Sequence, residues 1–285
     1  MICGTFKMAV SDRIGGFVRS MLKQPFLNNK NVLWETVKSE YMEDMMKEQL
    51  YTIPVNDAFH KDCECPVCEM YRSLEDGAIE FVMGPSYMED DIRMETNKIG
   101  FCSDHLKLMY KNQNRLGLSL MLQTHMENMI KDIEKLSKTG RGSSGGLFKK
   151  KDDKSAISGY VNNLKHSCYV CNRIKNIYER YIVTLFYLYK NDADFKKKFQ
   201  SSKGFCTNHY ALLYEKAAEN LKGNELEEFT TSLNKIYLEN MKRVRDDLEW
   251  FTDKFDYRYV NEPWKNSKDA LPRAMQKINS VLNIE

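Results

Sequence analysis

Two cysteine–histidine signatures recur along this chain and limit its folds more than any other feature. Cys65-Pro66-Val67-Cys68 and Cys168-Tyr169-Val170-Cys171 are C-x2-C pairs. After 33 and 34 residues respectively, each is followed by a C-x2-H pair inside a repeated hexapeptide. The hexapeptides are GFCSDH (100–105), carrying Cys102 and His105, and GFCTNH (204–209), carrying Cys206 and His209. Six of the eight cysteines and two of the five histidines are used in this way, leaving Cys3 and Cys63 over.

Thiolates and imidazoles in two short-spaced pairs are the donor set of tetrahedral zinc. Donors three residues apart converge on one ion when the first lies at a helix start and the second one turn later. Pro66 suits the first turn of a helix, and Ser103 and Thr207 follow the third cysteine of each half where helix-starting residues belong. Helix N-termini also favour the thiolate form. The linear order predicts one site per half: Cys65, Cys68, Cys102 and His105 in the first, Cys168, Cys171, Cys206 and His209 in the second. The expected cofactor is Zn²⁺, two per chain, closed by four protein ligands and therefore structural. An iron–sulfur cluster is the competing occupant, and two-plus-two spacing favours a single ion. A redox role for CPVC needs a βαβ setting, which the sequence does not show. Cys63 is expected to be an unremarkable, partly packed thiol.

Apolar residues recur at helical steps, and no stretch alternates convincingly at period two, so the fold class is all-α. Tyr71, Leu74, Ala78 and Val82 make one stripe, and Ile174, Tyr178, Tyr181, Leu185 and Leu188 another. Helices are expected at about 103–137, 207–221 and 225–251. The organisation is two pseudo-repeated helical subdomains, 48–137 and 161–252, each pinned by a Cys3His zinc. A Gly/Ser- and charge-rich linker joins them over 138–160; its Lys149–Lys151 run is expected to be solvated. Residues 1–47 are an extension with a possible amphipathic helix at about 32–50, and 253–285 a tail packed on the helices, covering Tyr257, Tyr259 and Trp264.

The segments YTIPVNDAF (51–59), CECPVC (63–68), MGPSYMEDDIRMET (83–96), GFCSDH and QNRLGL (113–118), with the second CxxC…GFCxxH, resemble an uncharacterised bacterial family that carries the same duplicated pattern. The resemblance covers roughly 46–285 and implies no established activity. It makes Met46 a candidate native start and 1–45 an upstream extension.

The halves differ between their ligand pairs. Residues 83–100 are acidic and turn-rich, whereas 186–204 are basic. Positions 108, 115, 122, 129 and 136 read Leu, Arg, Leu, Met, Leu, so Arg115 interrupts an apolar stripe. One reading lets its stem snorkel to water. The other buries the guanidinium against Glu89, Asp90 or Asp91, beside Tyr87 and His125.

The net charge of +3 is too small to imply nucleic acid or an anionic membrane. The apolar run YIVTLFYLY (181–189) is too short to span a bilayer. With no secretory signal at the N-terminus, a reducing cytoplasmic location is expected, which favours metal ligation over disulfides. The preferred function is a zinc-dependent binding or scaffold module for a protein or small-molecule partner, without membrane or nucleic acid. The alternatives are a thiol-based redox or zinc-release sensor, and an enzyme using the Arg115 cluster; no catalytic residue is assigned, and the balance leans away from an enzyme.

Overall fold

A computed structural model describes residues 50–139 and 156–281. The expected helix at 32–50 lies outside these residues but for its last position, as do the extension 1–47 and linker residues 140–155. The described residues from 51 onward belong to one compact unit. Among the described residues every regular element is helical, and no helix is long and apolar enough to cross a membrane.

The elements in chain order are α1 (50–60), α2 (Pro66–Met83), a 3₁₀ turn (Pro85–Met88), α3 (Asp90–Ile99), α4 (Ser103–Lys111) and α5 (Arg115–Thr139). After the linker come α6 (Ala156–Lys165), α7 (Tyr169–Asn191), α8 (Ala193–Ser201), α9 (Thr207–Asn220), α10 (Asn224–Asp253) and α11 (Ala270–Asn279). The C-terminal end of the expected linker is thus helical.

The helix expected over 103–137 is broken. Gln113 takes φ +71°, a left-handed backbone that ends α4. Asn114 then starts α5: its Oδ1 accepts from the Gly117 N–H at 3.0 Å, and its amide donates to the Met83 carbonyl at 2.7 Å. Seven-residue counting therefore does not carry from Leu108 to Arg115, because the two lie on different helices.

Helices α2 and α7 pack on each other and run antiparallel: Tyr71 meets Tyr178, and further along α2 Phe81 meets Arg173. Each helix contributes one end to each of two apolar clusters. The start of α2 and the later part of α7 pack with α1, α8, α9 and α10 around Val55, Leu185 and Leu233. The end of α2 and the start of α7 pack with α3, α4 and α5 around Val82, Met109 and Met121. In the first cluster Phe199 is buried among the rings of Phe59, Tyr189, Phe205 and Phe229, with centroids 5.0–5.9 Å away. Removing it opens a cavity that four aromatic neighbours cannot close, so Phe199→Ala should cost about 3–5 kcal/mol in chemical denaturation.

The C-terminal segment packs on the body only in part. α11 buries Ala270, Ala274 and Lys277, and Trp264 lies 6.0 Å from Phe251. Tyr257, expected to be covered, is 85% exposed, and Phe255 beside it is 76% exposed. The turn there is held by Lys254, whose ammonium donates to the carbonyls of Tyr259, Val260 and Glu262, so the aromatic side chains need not supply the cohesion.

Candidate metal centres

Four helices begin at a ligand pair. Cys65, Cys102, Cys168 and Cys206 are the N-cap residues of α2, α4, α7 and α9, all with extended backbone and none with a side-chain cap hydrogen bond. Cys68, His105, Cys171 and His209 sit three residues on, in the first turn of the same helices. Each pair thus faces one way from a positive helix end, which favours thiolate. The glycine of each hexapeptide makes the approach. Gly100 has φ +70°, and a Cβ there would lie 2.6 Å from the His125 ring. Gly204 has φ +82°, and its Cβ would press on the Ile236 carbonyl at 3.2 Å.

The pairs combine across the halves. Cys65 and Cys68 meet Cys206 and His209; Cys102 and His105 meet Cys168 and Cys171. All eight predicted ligands are gathered, but the within-half quartets are not formed. Chain reach explains the exchange. α2 rises about 27 Å over its 18 residues, and α3 returns only about 15 Å over its ten. Cys102 therefore arrives beside the middle of α2, where Glu75 meets His105, not at its start. α7 and α8, with 23 and nine residues, repeat the mismatch, and His209 lies against the ring of Tyr178. α2 and α7 are antiparallel, with Tyr71 beside Tyr178 and Phe81 beside Arg173, so a ligand pair that stops partway along one helix meets the start of the other. Two hydrogen bonds record the crossing: the Tyr169 N–H donates to the Gly100 carbonyl at 2.9 Å, and the Ser167 hydroxyl to the Ile99 carbonyl at 2.7 Å.

The spacing inside each group suits a small tetrahedral ion. In the first, Cys206 Sγ is 3.9 and 3.7 Å from the sulfurs of Cys65 and Cys68, and His209 Nδ1 is 3.1–3.4 Å from all three. In the second, His105 Nδ1 is 3.1, 3.2 and 3.4 Å from Cys102, Cys168 and Cys171, and the Cys102 and Cys171 sulfurs are 4.0 Å apart. Metal–sulfur bonds of about 2.3 Å at tetrahedral angles place sulfurs roughly 3.8 Å apart. The groups are short of positive charge without an ion. Burial and the neighbouring thiols push Cys65 well up, while hydrogen bonds from Cys65 and Cys68 pull Cys206 down. Burial alone would raise Cys168, yet hydrogen bonds from His105 and the backbone bring it to about 6. A divalent cation lets all three thiols ionise together. Burial pushes Cys63, in neither group, up to about 11, as befits an inert thiol.

The surroundings of the groups differ. Glu75 holds the His105 Nε2 at 3.2 Å, fixing which nitrogen faces the sulfurs. Over the first group lies α11. The Ser280 hydroxyl is 3.0 Å from Cys206 Sγ, and Gln276 hydrogen-bonds Cys68. Lys277, 1% exposed, donates to the Glu64 carbonyl beside Cys65 and pairs with the Glu64 carboxylate at 3.2 Å. Glu64 in turn takes Arg243. No sequence pattern pointed to this cover, because α11 lies far along the chain and its contacts are set by tertiary packing.

The proposed polar cluster around Arg115 is not assembled. Arg115 is exposed at the first position of α5, stacked on the Tyr110 ring with its carbon 3.5 Å from the centroid and donating to the Tyr110 carbonyl. Glu89, Asp90 and Asp91 are exposed. Tyr87 packs under Gly117, and His125 Nδ1 donates to the Asn97 carbonyl at 2.7 Å. The arginine that does link the acidic connector to α5 is Arg93, which donates to the Leu120 carbonyl and the Thr124 hydroxyl.

Fold and sites together define an all-α protein with two thiol–imidazole groups able to hold metal ions. A model described as a family of unknown function (DUF6062) matches residues 46–285, and the chain belongs to that family. No curated protein and no solved structure matches it.

Proposed function

We propose that this chain is a two-zinc binding or scaffold module of the cytoplasm, with both ions structural. The carrying observation is that each group supplies four protein donors at tetrahedral spacing, so neither keeps an open coordination position for substrate. Cys65, Cys68, Cys206 and His209 would hold one ion; Cys102, His105, Cys168 and Cys171 the other. Each ion would supply charge compensation and a cross-link between helix starts. Three thiolates with one neutral imidazole favour zinc over harder cations. The binding role is supported by the outer half of α5. Among the described side chains from 122 to 138 none is fully buried, and Met126 and Ile130 are 59% and 55% exposed. The stretches 48–137 and 161–252 are read here as two copies of one helical motif that exchange ligand pairs within one unit.

Elemental analysis of the purified chain should find about two zinc ions per molecule. Cys102→Ser and Cys206→Ser should each remove one, and Cys63→Ser none. Iron with acid-labile sulfide, or a single ion per chain, would sink the proposal.

A further inference from the structure

The two centres differ in which ligand residues are fully buried. In the group covered by α11, Cys65, Cys68 and Cys206 are all fully buried, and the ligand residue that is only partly buried is His209. In the other group His105 is buried at 3% exposure, and the ligand residues that are only partly buried are the cysteines Cys102 and Cys171. Among the described residues, the side-chain hydrogen bonds of these two sulfurs run only within their own group, whereas Cys206 and Cys68 take Ser280 and Gln276 from α11. The sulfurs of these two partly buried cysteines are also neighbours, 4.0 Å apart, on the starts of α4 and α7.

We propose that the Cys102–His105–Cys168–Cys171 centre is redox-responsive: a hydroperoxide joins Cys102 to Cys171 and expels the ion, while the centre under α11 keeps its own. The inference rests on the zinc reading above and gives the two ions different jobs. In the first step one of these two thiolates attacks the peroxide. Its sulfur is oxidised by two electrons, the O–O bond breaks, a sulfenic acid forms, and the leaving oxygen takes a proton to become water (or an alcohol, from an organic peroxide). The second thiolate then attacks the sulfenic sulfur. The S–S bond forms, the S–O bond breaks, and the departing hydroxide takes up a proton as water. The centre has by then lost two of its four donors, so the ion leaves. The new bond still ties α4 to α7, so the junction between the halves survives while His105 is released from its ion. A solvent-accessible thiolate beside a resolving thiol is the arrangement that makes such chemistry site-selective. The same oxidation at the other centre requires α11 to move first.

The test uses the zinc-loaded full chain, hydrogen peroxide, and a zinc-chelating dye with peptide mapping. About one ion per chain should be released at least roughly tenfold faster than the second. A Cys102–Cys171 disulfide should appear in step with the first, and dithiothreitol with added zinc should restore the starting state. Ser280→Ala with Gln276→Ala, which uncovers the other centre without touching a ligand, should speed the second release and leave the first unchanged. Equal release of both ions, first loss from Cys65, Cys68 and Cys206, or release with no Cys102–Cys171 bond would overturn the proposal. A chain that purifies without zinc would instead overturn the zinc reading on which it stands.

Discussion

Cys68→Ser combined with Cys102→Ser should empty both metal centres, whereas Cys68→Ser combined with Cys206→Ser should leave one ion in place. The first pair comes from one half of the chain yet belongs to two different groups; the second comes from two halves yet belongs to one. If each half closed on its own metal, the outcomes would be interchanged. A tetrahedral thiolate site that loses one of its three sulfurs loses much of its affinity, since every donor is a full metal bond. Metal content after dialysis against a weak chelator therefore reads the pairing directly. The Cys102→Ser with Cys171→Ser variant completes the comparison and should also keep one ion. Retention of one ion by the Cys68/Cys102 variant would show that the pairs combine within each half after all.

The eight ligands and the helical class were legible because both depend on short-range rules. A donor at the N-cap and another at the third position must share a helix end, whatever the rest of the chain does. The pairing was not legible, because it depends on where α3 stops. Thirty-three intervening residues are compatible with a hairpin that returns to its own start. Only the unequal lengths of α2 and α3, 18 and ten residues, stop the return halfway, and 83–100 reads in the sequence as an acidic, turn-rich connector in which α3 is not evident. Arg115 was misplaced for a related reason. The seven-residue stripe was counted through Asn112, Gln113 and Asn114, three residues able to take turn conformations, and Gln113 does so. The role of Gly100 was not legible, because the His125 ring that leaves no room for a side chain comes from α5, 25 residues away. The cover that α11 lays over one centre carries no local signal at all.

Complete removal of metal should lower the melting temperature by at least 10–20 °C, taking about 5 kcal/mol of lost stabilisation at roughly 2–4 °C per kcal/mol for a domain of this size. That energy is a lower figure than the roughly 10–16 kcal/mol apparent binding energy of small zinc peptides. The apolar clusters around Leu185 and Met121 persist without an ion and support part of the fold. The location of the loss is the sharper expectation. Each ion joins the start of a helix from one half to the start of a helix from the other, so hydrogen exchange should quicken at the first turns of α2, α4, α7 and α9. Amides at 181–189 in α7, packed within the phenylalanine-rich cluster, should stay protected longest. The two ions should also contribute unequally. Where α11 adds Ser280, Gln276 and the buried Lys277–Glu64 pair, the junction retains protein contacts after the ion leaves; around the partly buried Cys102 and Cys171, it depends on the ion and on the Tyr169–Gly100 and Ser167–Ile99 hydrogen bonds. Exchange at α4 should therefore rise more than at α9. An unchanged melting temperature and unchanged exchange after verified metal removal would show that the ions are not structural, and would move the weight of the functional reading to the partly buried thiols.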